Sequence, residues 1–216
     1  MHKEREFRGD FGWTSQPVAK HQVVGIFDLV AFSARVSNDD LVAAVATMEM
    51  RIKLAMGKDY FWADRTLGGW ESDRNEVLLR STGDGYVVAF SQDDDDFDVL
   101  ETLLNIYKGV SKNHKVNLGI NKGQNYVVAD INGLVNIIGW GVNYSARALQ
   151  FAKNGQIICT EFFAKPVLKA YGDKITKKHM VSLGTRKIKE TKMELFNYYR
   201  RGEFGASLTK DQLKES

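Results

Sequence analysis

Short apolar, β-branched runs alternate along this chain with segments whose apolar residues recur at helical spacing. Gln22 to Leu29 (QVVGIFDL) reads as a buried strand. Ser37-Asn38-Asp39-Asp40 offers cap residues for a helix from about Leu41 to Met56. Gly57 to Asn75, with its aromatics, charges and Gly68-Gly69, reads as an irregular connection. Glu76 to Thr82 and Tyr86 to Ser91 flank Gly83-Asp84-Gly85, a strand–turn–strand signal. The acidic run Asp93 to Asp96 precedes an apolar-periodic stretch ending near Lys112, and it reads as an acidic first turn complementing a helix dipole. Lys115 to Ile120 and Tyr126 to Ile131 read as a second strand pair turning at Lys122-Gly123-Gln124. Val142 to Ala152 reads as a helix ending near Gly155, and Gln156 to Thr160, Met180 to Leu183 and Met193 to Tyr199 as further strands. This order predicts an α+β fold, an antiparallel sheet with helices on one face. The expected organisation is an N-terminal arm (1–20), one domain (21–201) and a frayed polar tail (202–216).

Composition narrows the class of partner. The 216 residues are 44% hydrophobic, which suits one globular domain. A net charge of +3 is too mild for a nucleic-acid surface yet fits a small polyanion held by a few placed cations. No apolar run reaches the length of a membrane span, and Met1 to Asp10 has no apolar core of a secretory signal. The single cysteine, Cys159, forms no internal disulfide, and the expected compartment is the cytoplasm.

Three segments carry candidate chemistry. Ile26-Phe27-Asp28-Leu29-Val30-Ala31-Phe32-Ser33 places a carboxylate at a strand end. Arg80-Ser81-Thr82-Gly83-Asp84-Gly85 places a second at a hairpin tip. Two such carboxylates supply the hard oxygen donors that magnesium or manganese takes. Gly139-Trp140-Gly141-Val142-Asn143-Tyr144-Ser145-Ala146-Arg147 sets an amide and a guanidinium four apart, on one helix face, where they suit a phosphate under attack. Taken singly, each has a plainer reading: a strand-end turn residue, a type I′ turn, a polar helix surface.

In this order and at these separations, the three segments resemble the class III adenylyl and guanylyl cyclase homology domain. Val116 to Gly133 and Gly155 to Thr160 add two similar segments, and the likeness runs from about Val23 to Tyr199. The resemblance implies a ferredoxin-like sheet and conversion of a nucleoside triphosphate to a 3′,5′-cyclic monophosphate and pyrophosphate. It implies two divalent cations, Mn²⁺ or Mg²⁺, held by Asp28, Asp84 and the backbone carbonyl of Leu29. Asn143 and Arg147 would orient the ribose and stabilise the transition state, with Phe32 and Ser33 near the substrate. Lys187 best matches the phosphate-binding lysine; Arg186 and Lys189 stand as alternatives. It further implies a head-to-tail homodimer with composite sites, because this chain holds both halves of the machinery.

At the two base-selecting positions this sequence departs from the purine enzymes. Adenylyl cyclases carry Lys and Asp there and guanylyl cyclases tend to Glu and Cys, whereas this chain has Arg80 and Asn136. A guanidinium only donates, which favours a base edge rich in carbonyl oxygen. A short cyclase domain with Arg here is similar to the pyrimidine cyclases of bacterial antiphage signalling, and UTP is the expected substrate, yielding cyclic UMP. His21 is a further candidate base contact, although a solvated strand-end histidine is its plainer reading. The rival readings are a purine cyclase with an atypical pocket and an inactive cyclase-fold module that binds a nucleotide or partner.

Overall fold

The computed structural model describes residues 19–30, 37–56, 61–62, 76–90, 95–129, 135–172, 179–209 and 211–212. Their strands are β1 (Ala19–Leu29), β2 (Phe61–Trp62), β3 (Glu76–Ser81), β4 (Gly85–Phe90), β5 (Val116–Ala129), β6 (Val135–Gly139), β7 (Ile157–Thr160), β8 (Met180–Ile188) and β9 (Thr191–Tyr198). The helices are α1 (Asn38–Met56), α2 (Asp96–Ser111), α3 (Trp140–Gln150) and α4 (Glu161–Tyr171). All strands belong to one sheet, ordered β2-β3-β4-β1-β5-β7-β9-β8, with β6 paired to the far half of β5. Pairing is antiparallel except between β2 and β3 and between β5 and β7. This is the α+β architecture expected from the sequence.

Alternate strand residues separate two apolar layers. Phe27 and Leu29 of β1, Leu118 and Ile120 of β5 and Cys159 of β7 pack with Met48 of α1, Leu103 of α2 and Phe163 of α4. The intervening residues, among them Val24, Ile26 and Val87, meet Val142, Ala146 and Leu149 of α3. Ala148 of α3 packs with Ile158 and Leu195. The expected helical layer on one face is therefore α1, α2 and α4, while α3 crosses the opposite face.

The helix starts follow the sequence signals. Ser37 Oγ accepts the Asp40 backbone N–H at 3.3 Å ahead of α1. Asp95 caps α2 by accepting from the N–H groups of Phe97 (2.8 Å) and Asp98 (3.3 Å). The acidic run is thus a cap where it is described; Asp93 and Asp94 lie outside the described residues.

Two expectations are corrected. Lys122-Gly123-Gln124 is no turn: β5 runs unbroken from Val116 to Ala129 and pairs with β1 from Val116 through Tyr126. Gly123 serves close approach instead, since a Cβ there would lie 3.1 Å from the backbone of Gly141 in α3. From Asn125 to Ala129, β5 pairs antiparallel with β6. Helix α4 forms although Pro166 sits inside it and forfeits a helical hydrogen bond, because Phe163, Ala164 and Val167 bury one face. The polar tail is pinned where it is described. Gln212 is 6% exposed, and its amide donates to the carbonyl of Phe151 and to Gln156 Oε1.

Helix α3 lies so near the sheet that Gly119 tolerates no side chain. A Cβ there would sit 2.4 Å from the Ser145 carbonyl oxygen and 2.8 Å from the Leu149 nitrogen. Gly119→Val is expected to lower the free energy of unfolding by roughly 3 kcal/mol, the upper end of overpacking costs. Urea denaturation of the two proteins checks this.

Candidate active site

Asp28 is the next-to-last residue of β1 and stands opposite Gly85, the first residue of β4. The β3–β4 turn brings Asp84 beside it. Gly83 alone of the two central turn residues has positive φ (99°), the glycine-first pattern of a type II′ turn, and Thr82 N–H donates to the Gly85 carbonyl at 3.0 Å. Gly85 admits the neighbouring strand, because a Cβ there would collide with the Phe27 carbonyl oxygen at 2.0 Å. Leu29 N–H then donates to the Asp84 carbonyl at 3.1 Å, fixing the second acid against the end of β1. The Gly-Asp-Gly triplet therefore divides its work: one glycine bends, one lets the strands close, and the acid between them faces its partner.

Burial raises the Asp28 carboxyl above its usual range, and the negative charge of Asp84 raises it further. Two carboxylates that repel each other in a half-buried corner fit a hard cation, which relieves both penalties. Among the described residues no group of three acidic, histidine or cysteine side chains forms a metal cluster. A cation held there would need further oxygen donors besides these two carboxylates.

Asn143 and Arg147 lie on α3. One flank of α3 packs through Val142, Ala146 and Leu149, the other through Tyr144, Ala148 and Phe151, and Gly141 and Ser145 press on the sheet. What remains is the outward face, which carries Asn143 and Arg147. Arg147 holds its guanidinium carbon 5.3 Å from the centre of the Tyr144 ring. Arg80 pairs with Val87 and alternates onto the same side of the sheet as Leu78, the side that also bears Asp28 and α3. The strands of the two base-selecting candidates meet where Leu78 and Ile137 share a cluster. Asn136 itself points away from that cluster, and its Oδ1 accepts the Ile137 N–H at 2.9 Å.

The other candidates are dispersed. Lys187 is exposed on the edge strand β8, four strands from β1, or roughly 19 Å by strand spacing. Arg186 and Lys189 flank it, Lys189 at positive φ in the β8–β9 turn. His21 is exposed seven residues before Asp28, roughly 24 Å along β1 and on the other face. The structure does not bring it to the carboxylates. Phe32 and Ser33 lie outside the described residues.

The sequence reading missed the residues that hold α3 in place. Asn125 Oδ1 accepts the Val142 N–H at 2.9 Å, capping a helix whose own N-cap, Gly139, has no side chain. Asn121 donates to the Gly141 carbonyl at 3.0 Å and accepts from Thr160. Ser145 Oγ lies 2.8 Å from the Gly119 carbonyl and 3.0 Å from that of Val24. A signal for this set was present: two asparagines inside an otherwise strand-like run, opposite a small-residue helix start.

No protein-family model and no curated protein matches this sequence. Solved structures do match. The catalytic core of a rhodopsin-guanylyl cyclase with converted specificity, in complex with ATPalphaS, superposes with a TM-score of 0.66 over 87% of this chain and 100% of its own, at 17% identity. The adenylyl cyclase CyaB from P. aeruginosa gives 0.65 over 88% and 100%, at 15% identity. The guanylate cyclase domain of RhGC from Catenaria anguillulae, in complex with GTP, gives 0.63 over 85% and 99%, at 17% identity. The chain therefore has the fold of the adenylyl and guanylyl cyclase catalytic domain over most of its length.

Proposed function

We propose that this protein is a metal-dependent nucleotide cyclase acting as a head-to-tail homodimer, with a pyrimidine triphosphate, UTP first, as substrate. The observation that carries this reading is the convergence of Asp28 and Asp84 at the β1 end within a cyclase fold. Asn143 and Arg147 supply the second support: they point off the sheet on the side that bears Asp28. Lys187 stands four strands from the aspartates of its own chain, so a second copy is the natural source of the other half of each site. A two-fold arrangement gives two equivalent sites, each with aspartates from one copy and Asn143, Arg147, Lys187 and Arg80 from the other.

In the reaction the ribose 3′-oxygen attacks the α-phosphorus and the bond to the β-phosphate breaks, releasing pyrophosphate. Bound divalent cations would supply acidification of the 3′-hydroxyl and neutralisation of phosphate charge. Asp28, Asp84 and the Leu29 carbonyl would hold them. Asn143 orients the ribose, and Arg147 meets the charge that builds on the α-phosphoryl oxygens. Lys187, with Arg186 and Lys189 beside it, neutralises the outer phosphates. No helix of the described residues is long and apolar enough to cross a membrane.

Arg80 supports the pyrimidine assignment, as a donor-only group on the substrate side of the sheet where adenine- and guanine-type enzymes have other residues. A site built to bond one base edge rejects analogues lacking it by roughly 10⁴-fold. A cyclic-UMP signal in antiphage defence extends this reading, resting on the likeness of the Arg80 position. Purified protein with Mn²⁺ and each of the four ribonucleoside triphosphates, read by mass spectrometry, tests it. UTP should be cyclised fastest and CTP next, and Arg80→Ala should erode both the preference and the rate. Equal turnover of ATP or GTP would leave the purine-cyclase reading in place.

Composite sites predict complementation. Asp28→Ala should abolish turnover, and Arg147→Ala should lower it by about 10²–10³-fold. Mixed in equal amounts, the two variants should recover about a quarter of the unmodified activity, since half the dimers are mixed and each rebuilds one intact site of two. An unrestored mixture would argue against sites shared between copies.

The raised Asp28 carboxyl sets a pH dependence. The folded state then binds more protons than the unfolded chain, so metal-free stability falls as pH rises from the unfolded value through the folded one. Asp28→Asn is expected to raise the metal-free melting temperature at neutral pH, at ~2–4 °C per kcal/mol for a chain of this size. The same change should remove the thermal stabilisation that Mn²⁺ gives the unmodified protein. Differential scanning fluorimetry with and without Mn²⁺ reads both effects.

A further inference from the structure

Arg147, in the proposed catalytic set, is packed against an aromatic face, and that face is itself built. Its guanidinium carbon stands 5.3 Å from the centre of the Tyr144 ring, three residues earlier on α3. Trp140, one turn before Tyr144, meets that ring at 5.3 Å with a 32° tilt. Phe162 of α4 stacks on it at 6.1 Å and 30°. The Tyr144 hydroxyl donates to Thr191 Oγ1, at the start of β9, at 3.4 Å. Groups from three separate elements thus hold one ring. Trp140 and Phe162 remain 59% and 50% exposed, so they contribute little to the core.

A long guanidinium side chain on an outward helix face samples many rotamers, and a flat ring beneath it removes most of that freedom. The quadrupole of the ring adds attraction for the cation. An arginine acting on a transition state gains from being placed before the charge develops.

We propose that Tyr144, set in a Trp140–Tyr144–Phe162 platform, is a positioning residue that pre-orients Arg147 for the α-phosphoryl group. This rests on the cyclase reading above. Loss of the ring face should lower kcat more than it raises KM, because the ordering of Arg147 is used in the transition state. The hydroxyl is secondary, so phenylalanine should serve nearly as well.

The test is a double-mutant cycle. Tyr144→Leu and Tyr144→Phe are each made in the unmodified protein and in Arg147→Ala, and kcat and KM are measured with Mn²⁺ and the best triphosphate. In the unmodified background Tyr144→Leu should cost about 5- to 10-fold in kcat with KM within about twofold, and Tyr144→Phe should recover most of the rate. In the Arg147→Ala background Tyr144→Leu should be silent, since it acts through the missing guanidinium. An equal loss in both backgrounds, or a phenylalanine variant as impaired as leucine, overturns the proposal in favour of simple packing. A full Arg147→Ala loss beside a silent Tyr144→Leu overturns this inference alone. No turnover of any triphosphate by the unmodified protein overturns the cyclase reading, and the role of Tyr144 with it.

Discussion

The seat of α3 on the sheet governs the geometry of the whole candidate site. Contact is made where side chains are missing: Gly119 under Ser145 and Leu149, and Gly123 against Gly141. So close an approach strips water from polar groups, which is costly unless each finds a partner. The Ser145 hydroxyl shares its one proton between two strand carbonyls, Asn125 caps the helix from β5, and Asn121 links Thr160 to the Gly141 carbonyl. These bonds are directional, so they set the rotation of α3 about its axis as well as its distance from the sheet. That rotation turns Asn143 and Arg147 outward.

A second consequence is a division of labour across the sheet. The carboxylate pair sits at the end of β1, in the middle of the strand order, while Lys187 stands on the β8 edge. No local movement closes such a gap in a sheet whose strands are hydrogen-bonded throughout. The carboxylates, Asn143 and Arg147 open to the side that α1, α2 and α4 leave uncovered, as does Arg186, which pairs with Met193, whereas Lys187 alternates to the other side of β8. In the proposed assembly a two-fold axis over that side would bring the acids of one copy to the cations of the other, so that one chain supplies both halves.

Local signals were legible where one residue type answers one backbone demand. Gly83 and Gly85 mark a hairpin with an acid between them, and the acidic run Asp93 to Asp96 marks a helix start; both elements are present, with Asp95 as the cap of the helix. Signals failed where a residue served a distant neighbour. Gly123 looked like a turn, yet it is cleared for α3 rather than bent. Pro166 is a helix breaker by type and stands inside 161–171, yet burial of Phe163 and Val167 outweighs one lost hydrogen bond. Gln212 looked like part of a loose end, yet it bonds the chain that follows α3.

From the residues alone one can read the α+β class, the acids at strand end and hairpin tip, and the amide–guanidinium pair on one helix face. Each depends on spacing within a few residues, where covalent geometry restricts what the chain can do. Contacts between residues far apart in the chain belong to the tertiary structure. Packing decided that Asp84 is brought beside Asp28, that His21 stands at the far end of β1 from Asp28 and on its other face, and that Arg147 rests on a ring braced by Phe162 and Thr191. The reason is physical: strand order, register and helix rotation follow from the sum of many weak, distant contacts, and no single stretch of sequence contains that sum.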